Sequence, residues 1–451
     1  MGKRLCSGAL VAAAALVLAG AVSARPPDSG SVRAAFFTNW SRYARGYLVK
    51  DIPVNDLNVL DYAFATVTPA GTCGLTDVWS DYQAPTWSGA DSVDGVADDP
   101  ANLDQHLFGN FEQLRKLKAA NPGLRIEMSL GGWTGSRYFS DAAATPASRR
   151  AFVASCIDLI IKGNLPGGGW PEGAGGPGAA AGLFDGINID WEYPGVDPGN
   201  GADFSAADRE NATALLHEFR HQLDATGRDY LLTVDIPGGN IHSTGSWQLH
   251  QVAQTVDWID LMSFDYHGSW DPLTDFNSPL GLDPLEPPVG GGALQETWNT
   301  TGSVAYFLAN GVPPDKLVVA VPFYGKEYVG VGPADDGLYQ PHGATPANDS
   351  PTYHDLVDTG LADANLTVIG PTAASRDGSG INGFTRHVDA AAGAAWLYNA
   401  ELNGGTFISY VDPAGVQARI ALTRALGLRG AWVWEISNDD DAHDLADAFG
   451  G

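Results

Sequence analysis

Eight short apolar runs, each separated from the next by a helical pattern or a loop, constrain this chain more than any other feature. They occupy residues 32–37, 57–65, 124–133, 187–191, 230–236, 258–266, 316–325 and 430–435. Mostly apolar runs of this length, bounded by turn residues, read as strands buried on both faces. Helical periodicity at 111–120, 148–162, 208–225 and 246–255 alternates with them, which is the mark of stacked βαβ units and a parallel sheet. The fold class is therefore α/β, and eight such units predict a closed (β/α)8 TIM barrel. Its active site would lie at the C-terminal ends of the strands. An open doubly wound sheet is the competing topology, but no Gly-rich phosphate loop follows the first run. Between 327 and 412 the rhythm breaks into short alternating runs, such as Gly383-Phe384-Thr385-Arg386 and Thr406-Phe407-Ile408-Ser409-Tyr410. This stretch reads as a small α+β insertion after strand seven, within a barrel spanning 32–451.

The fourth run carries unusual chemistry. From Ile187 to Glu192 apolar side chains alternate with Asn188, Asp190 and Glu192, the two-residue period of a strand. Three polar side chains on one face are costly to bury without a use. Neighbouring carboxylates and desolvation both disfavour ionisation, and a carboxyl that stays protonated near neutral pH can serve as a general acid. For an isolated acidic pair, a solvated loop or a divalent-cation site would be the ordinary reading.

The full string from Asp185 to Glu192 is more specific. It resembles the Asp-x-x-Asp-x-Asp-x-Glu signature of glycoside hydrolase family 18, the chitinases, with Asn188 standing in place of the second Asp. Ser129-Leu130-Gly131-Gly132 is similar to the family's Ser-x-Gly-Gly, and Met262-Ser263-Phe264-Asp265 to its Met-x-Tyr-Asp. Val321-Pro322-Phe323-Tyr324-Gly325 and Trp434 also fit, so the resemblance runs from about residue 34 to 440. It implies a chitinase that cuts β-1,4 bonds between N-acetylglucosamine units with retention of configuration, without cofactor or metal. Glu192 would protonate the glycosidic oxygen, while the substrate's own acetamido oxygen attacks to give an oxazolinium ion. Asp190 and Asp265 would hold the acetamido group from two sides, with Asn188 completing the catalytic set. Asp185, Ser129, Tyr193, Met262 and Phe264 would contribute to substrate binding. Trp434 would floor the subsite where cleavage occurs, and Trp133 and Trp270 would stack on sugars beyond it; the competing role for each tryptophan is core packing.

Three positions depart from the family pattern. Asn188 removes the carboxylate that would share Asp190's proton, since an amide can hydrogen-bond Asp190 but cannot take its charge. Phe264 stands where a Tyr donor is usual, and Lys326 where Arg is frequent. A chitin-binding lectin on the same barrel is accordingly a second reading, and an endo-β-N-acetylglucosaminidase a third. No Gly-x-Ser-x-Gly elbow suggests an unrelated hydrolase.

The formal charge is −28, from 53 acidic and 25 basic residues. That excess argues against nucleic acid or an anionic membrane as partner, both of which need a basic face; an uncharged polysaccharide is compatible. Lys3 and Arg4 precede an apolar run at 9–22, and Val22-Ser23-Ala24 offers small residues for cleavage. Residues 1–24 therefore read as a secretory signal peptide, giving an extracellular chain expected to be monomeric. Cys6 would leave with that segment. Cys73 and Cys156 could then form one bridge closing a loop of about 80 residues, worth about 4 kcal/mol in the loop-entropy model, or remain two buried thiols. No Cys-x-x-Cys or His cluster suggests zinc.

Overall fold

The computed structural model describes residues 30–239, 246–288, 295–346, 348–363 and 367–450. The segment read as a signal peptide, with Cys6, lies outside the described residues.

The strands, in chain order, are β1 Val32–Thr38, β2 Val59–Val67, β3 Cys73–Leu75, β4 Arg125–Gly131, β5 Gly186–Asp190, β6 Leu231–Pro237, β7 Trp258–Met262 and β8 Leu317–Pro322. They continue with β9 Lys326–Val329, β10 Thr385–Asp389, β11 Ala394–Asn399, β12 Thr406–Tyr410 and β13 Gly430–Trp434. Each of the eight apolar runs becomes a parallel strand, in the order β1-β13-β8-β7-β6-β5-β4-β2. β1 pairs with both β13 and β2, so the sheet closes on itself. An open sheet is excluded, and the barrel expected from eight βαβ units is the architecture found.

Helices Gly109–Ala120, Pro146–Cys156, Asp208–Asp224, Leu249–Thr255, Thr300–Ala309 and Pro413–Leu426 connect successive strands. Local sequence sets several of their ends. Thr145 and Ser148 form a reciprocal capping box ahead of Pro146, and Asp412 caps the Gly415 N–H ahead of Pro413, both satisfying otherwise orphaned donors. Gly427 closes the latter helix in the left-handed region at φ 64°, where a Cβ would be penalised. The predicted helix over 148–162 ends at Cys156 and continues as the π-type turn Ile157–Ile161.

Two apolar cores result. Outward-facing strand residues such as Leu60, Ile126, Ile187, Val234 and Val319 pack with Phe111, Phe152, Phe219 and Val416 from the helices. Inside the barrel, Val32, Ala34, Phe36, Trp258, Val318, Ala320 and Trp432 form the apolar cluster. The buried acids Asp61, Glu127, Asp235 and Asp260 share that interior.

Between β8 and β13, strands β10-β11-β12-β9 form a separate antiparallel sheet. It is accompanied by short helical turns at Ala334–Gly337, Asp355–Thr359 and Leu402–Gly404. Tyr328, Trp396 and Phe407 of this sheet pack on Phe276 from the loop after β7. Cys73 on β3 is bonded to Cys156 with Cα atoms 5.0 Å apart, tying the loop after β2 to the helix Pro146–Cys156. No helix of the described residues is long and apolar enough to cross a membrane.

Candidate active site

The site is built outward from β5. Its two-residue alternation points Asn188 and Asp190 into the barrel and carries Glu192 just past the strand end. Register sets Ser129 beside Asn188 and Gly131 beside Asp190. A glycine is required at 131, because its φ is 121° and a Cβ there would lie 2.1 Å from the Asp190 carbonyl oxygen. The Ser-x-Gly-Gly motif thus lets two backbones meet under the catalytic strand.

Asn188 is fully buried. Its Oδ1 accepts from Ser129 Oγ at 2.7 Å, and its Nδ2 donates to Thr233 Oγ1 at 3.0 Å and Asp235 Oδ1 at 3.2 Å. The amide is therefore committed to strands on either side, and Asp190 Oδ1 is left without a hydrogen-bond partner. Ser129 and Asn188, expected among the substrate-binding and catalytic groups, are both fully buried and hydrogen-bonded to each other.

Asp190 is only 5% exposed. Burial, then the charges of Glu192 and Asp235, push its carboxyl well above the usual aspartate range. Glu192 is partly exposed toward the mouth of the barrel yet ringed by protein. Desolvation raises its carboxyl to about 7, with Asp265 adding to the rise and a hydrogen bond from Tyr193 opposing it. Ser136 fixes the backbone here: its hydroxyl lies 2.8 Å from Gly132 O and 3.1 Å from Asp190 O, and accepts from the Glu192 N–H at 2.9 Å.

Asp265 comes from the exit of β7. The sequence run extended to residue 266, but the strand stops at Met262, and Asp265 adopts φ 53°, a conformation uncommon away from glycine and concentrated at functional sites. Asn277 holds it there by accepting the Asp265 N–H at 2.9 Å. Tyr324 Oη donates to Asp265 Oδ1 at 2.9 Å, and Lys326 Nζ sits 2.8 Å from the same oxygen. Lys326 also lies over the Trp270 and Tyr324 rings, 5.2 Å from each centroid. The lysine that departs from the family pattern thus still supplies a cation to Asp265.

Trp434 stacks on Phe64 at 5.8 Å and an interplanar angle of 27°, with Phe36 5.2 Å away, so two aromatic rings back its indole. Trp133 and Trp270 are 49% and 59% exposed, which removes core packing as their reason for being aromatic. Tyr193 meets Trp133 edge-on at 6.4 Å. Phe264 packs edge-on against Tyr324 and Trp432, and Met262 is buried in the barrel interior.

Asp185 is not brought to this site. It precedes β5 at the N-terminal end of the barrel, where it pairs with Lys118 at 2.7 Å and accepts the Ile126 N–H at 2.9 Å. Spacing along the signature put it in one string with Glu192, but the length of the strand separates them. Sequence reasoning missed Ser136, Asn277 and Asp235 altogether. Tyr324 was visible only as part of a motif. Among the described residues two groups have metal-ligand composition, His267 with Asp275 and Glu286, and His354 with Asp358 and Asp441; neither includes Glu192, Asp190 or Asp265.

The arrangement can deliver a proton from a desolvated acid and oppose a developing cation with two flanking carboxyls. Residues 32–439 match the sequence model of the Glycosyl hydrolases family 18. The chain is 31% identical to Chitinase A1 of Niallia circulans over 90% of its own length, and 30% identical to Chitinase C of Streptomyces lividans over 92%. It spans 56% and 58% of the lengths of those two relatives. Among solved structures it resembles the catalytic domain of psychrophilic chitinase B from Arthrobacter TAD20, with a TM-score of 0.79, 33% identity, and coverage of 93% of this chain and 94% of that one. The barrel, the motif placement and these similarities together establish that the chain belongs to glycosyl hydrolase family 18.

Proposed function

We propose that this chain is a chitinase hydrolysing β-1,4 bonds between N-acetylglucosamine units by a retaining, substrate-assisted route. The observation that carries the reading is Glu192, a carboxyl raised to about 7 at the mouth of the barrel, with Asp190 below it on the same strand and Asp265 beside it. Glu192 gives its proton to the glycosidic oxygen as the bond from that oxygen to C1 breaks. The acetamido carbonyl oxygen bonds to C1 as it does so, and the positive charge of the resulting oxazolinium faces Asp190. Water then attacks C1 while the Glu192 carboxylate takes its proton, restoring the acid. Asp265, held by Tyr324 and Lys326, steadies the acetamido group from the far side.

Trp434 floors the reacting sugar, and Trp133 and Trp270 take neighbouring units on their exposed faces. The sheet of β9 to β12 reads as one wall of the groove, because Lys326 of β9 reaches both Asp265 and Trp270. Export by a signal peptide suits the bond between Cys73 and Cys156, which persists in an oxidising compartment.

The test is release of oligomers from chitotetraose and colloidal chitin by the wild type and by Glu192→Gln. Turnover by the wild type with a loss of at least about 10²-fold in the variant is expected. Tight binding without turnover by either protein would make the chain a lectin, the reading that Asn188 and Phe264 favour.

A further inference from the structure

The proposed mechanism uses Asp190 but leaves unexplained the acids buried beside it. Asp61, Glu127, Asp235 and Asp260 project into the barrel from β2, β4, β6 and β7, each no more than 1% exposed. A buried carboxylate is tolerated only when it is paired, hydrogen-bonded or protonated. Asp260 is hydrogen-bonded through both oxygens to Trp258 Nε1, at 3.1 Å each. Asp235 is not so well served: Oδ1 accepts from Asn188, and Oδ2 has no partner.

Register places this orphan oxygen. β5 and β6 run parallel with Asn188 beside Thr233 and Ile189 beside Val234, so the next step along both strands sets Asp190 beside Asp235, both facing inward. Asp235 is in turn beside Asp260 on β7. Asp190 Oδ1 and Asp235 Oδ2 are thus two buried, unpartnered carboxyl oxygens on adjacent strands at one level. The charged groups acting on Asp235 are all acids, Asp260 first, then Asp61 and Glu192, with the Asn188 amide the one neutral donor, and Asp235 in turn acts on Asp190. Glu127, itself raised by burial and then by Asp61, adds to the acids acting on Asp260. Two carboxyls on neighbouring strands disfavour each other's ionisation, and a proton held between them would give both orphan oxygens a partner.

We propose that Asp235 is the carboxyl that shares Asp190's proton in this chain, supplying from β6 the partner that Asn188 cannot supply from β5. The proposal rests on Asp190 being the group that faces the acetamido nitrogen. The pair holds one proton and one negative charge throughout. As the oxazolinium forms, the proton moves from Asp190 to Asp235, leaving Asp190 as the carboxylate facing the cation; on hydrolysis it returns, and nothing is lost to solvent. Asp235 touches no substrate and is a positioning residue. Burial and the neighbouring acids, which hold its carboxyl well above the usual range, fit such a role.

The test compares wild type, Asp235→Asn, Asn188→Asp and the double variant Asn188→Asp/Asp235→Asn on a fluorogenic chitobioside across about pH 5 to 9. Asp235→Asn is expected to lower kcat at least about tenfold with KM within about twofold, and to displace the pH profile. The double variant, which returns a carboxylate to β5, is expected to recover kcat to within about threefold of wild type together with the wild-type profile. A wild-type kcat and profile in Asp235→Asn would overturn the proposal. So would a loss that the double variant does not repair, or a double variant that fails to fold, since either assigns Asp235 to packing alone. If Asp235→Asn itself does not fold, the comparison is between Asn188→Asp and the double variant. Activities within about threefold support the shared proton, and a larger loss refutes it. Glu192→Gln is run in parallel: retained activity there removes the proposed mechanism itself, independently of what Asp235 does.

Discussion

The proton on Glu192 sets how activity should vary with pH, and the structure gives both the position and the direction of change. A glutamate at its ordinary value of 4.5 would be protonated in only about one molecule in three hundred at pH 7. Raised to about 7 by desolvation, about half of the molecules carry the acid at that pH, a gain of about 150-fold in competent enzyme. The alkaline limb of kcat/KM reports this group in the free enzyme. It should bend near pH 7 and fall about a hundredfold between about pH 6 and pH 9. Two substitutions move it in opposite directions. Tyr193→Phe removes the hydrogen bond that favours the ionised form, so the limb moves to higher pH. Asp265→Asn removes a repulsion that disfavours ionisation, so the limb moves to lower pH, on top of a lower maximum from the weakened hold on the acetamido group. The assay is initial rate on a fluorogenic chitobioside at subsaturating concentration across about pH 5 to 9. A wild-type limb below about pH 5.5, or a limb that Tyr193→Phe leaves in place or lowers, would refute the desolvated-acid argument.

Two further outcomes concern stability. Burial raises the carboxyls of Asp81, Glu327 and Glu435 to about 7 and that of Asp61 to about 8, so above about pH 4.5 the native chain holds protons that the unfolded chain releases. Stability is therefore expected to fall as pH rises from about 5 to about 8, by up to ~1.4 kcal/mol per pH unit for each retained proton; a urea midpoint that is flat or rising over that range would contradict it. Replacing both Cys73 and Cys156 by Ser removes a cross-link spanning 83 residues, which the loop-entropy relation values at about 4.5 kcal/mol. Urea unfolding should show a loss of that order, and a loss under about 1 kcal/mol would mean that the unfolded chain is not being restrained as the relation assumes.

Much of this architecture was legible because it is written in local patterns. Apolar runs long enough to be buried on both faces announced the eight strands, and two-residue alternation announced which side chains of β5 face inward. The motif string singled out Asp190 and Glu192, which the structure sets on one strand and just past its end; Asp265 came from the separate motif at 262–265. The string misled at Asp185, whose place in it hides the rise of about 3.3 Å per residue that carries it to the other end of the barrel. The strand run through residue 266 was too long for the same kind of reason: apolarity does not reveal that Asp265 turns to φ 53° to be gripped by Asn277.

What the sequence by itself determined is the barrel, its order of strands and the identity of an acid at the end of the fourth one. What only the tertiary structure decided is who stands next to whom. Asp265 is met by Tyr324 and Lys326, which lie 59 residues beyond it and further in the chain. Glu192 is anchored through Ser136, 56 residues earlier. Asp190 feels Asp235 of the neighbouring strand β6 in addition to Glu192 of its own segment. Periodicity states which face a side chain occupies, but neighbours across a sheet depend on register and closure, which are settled by the packing of the whole barrel. The electrostatics follow from that packing, because desolvation and charge proximity act through space and leave no trace in the order of residues along the chain.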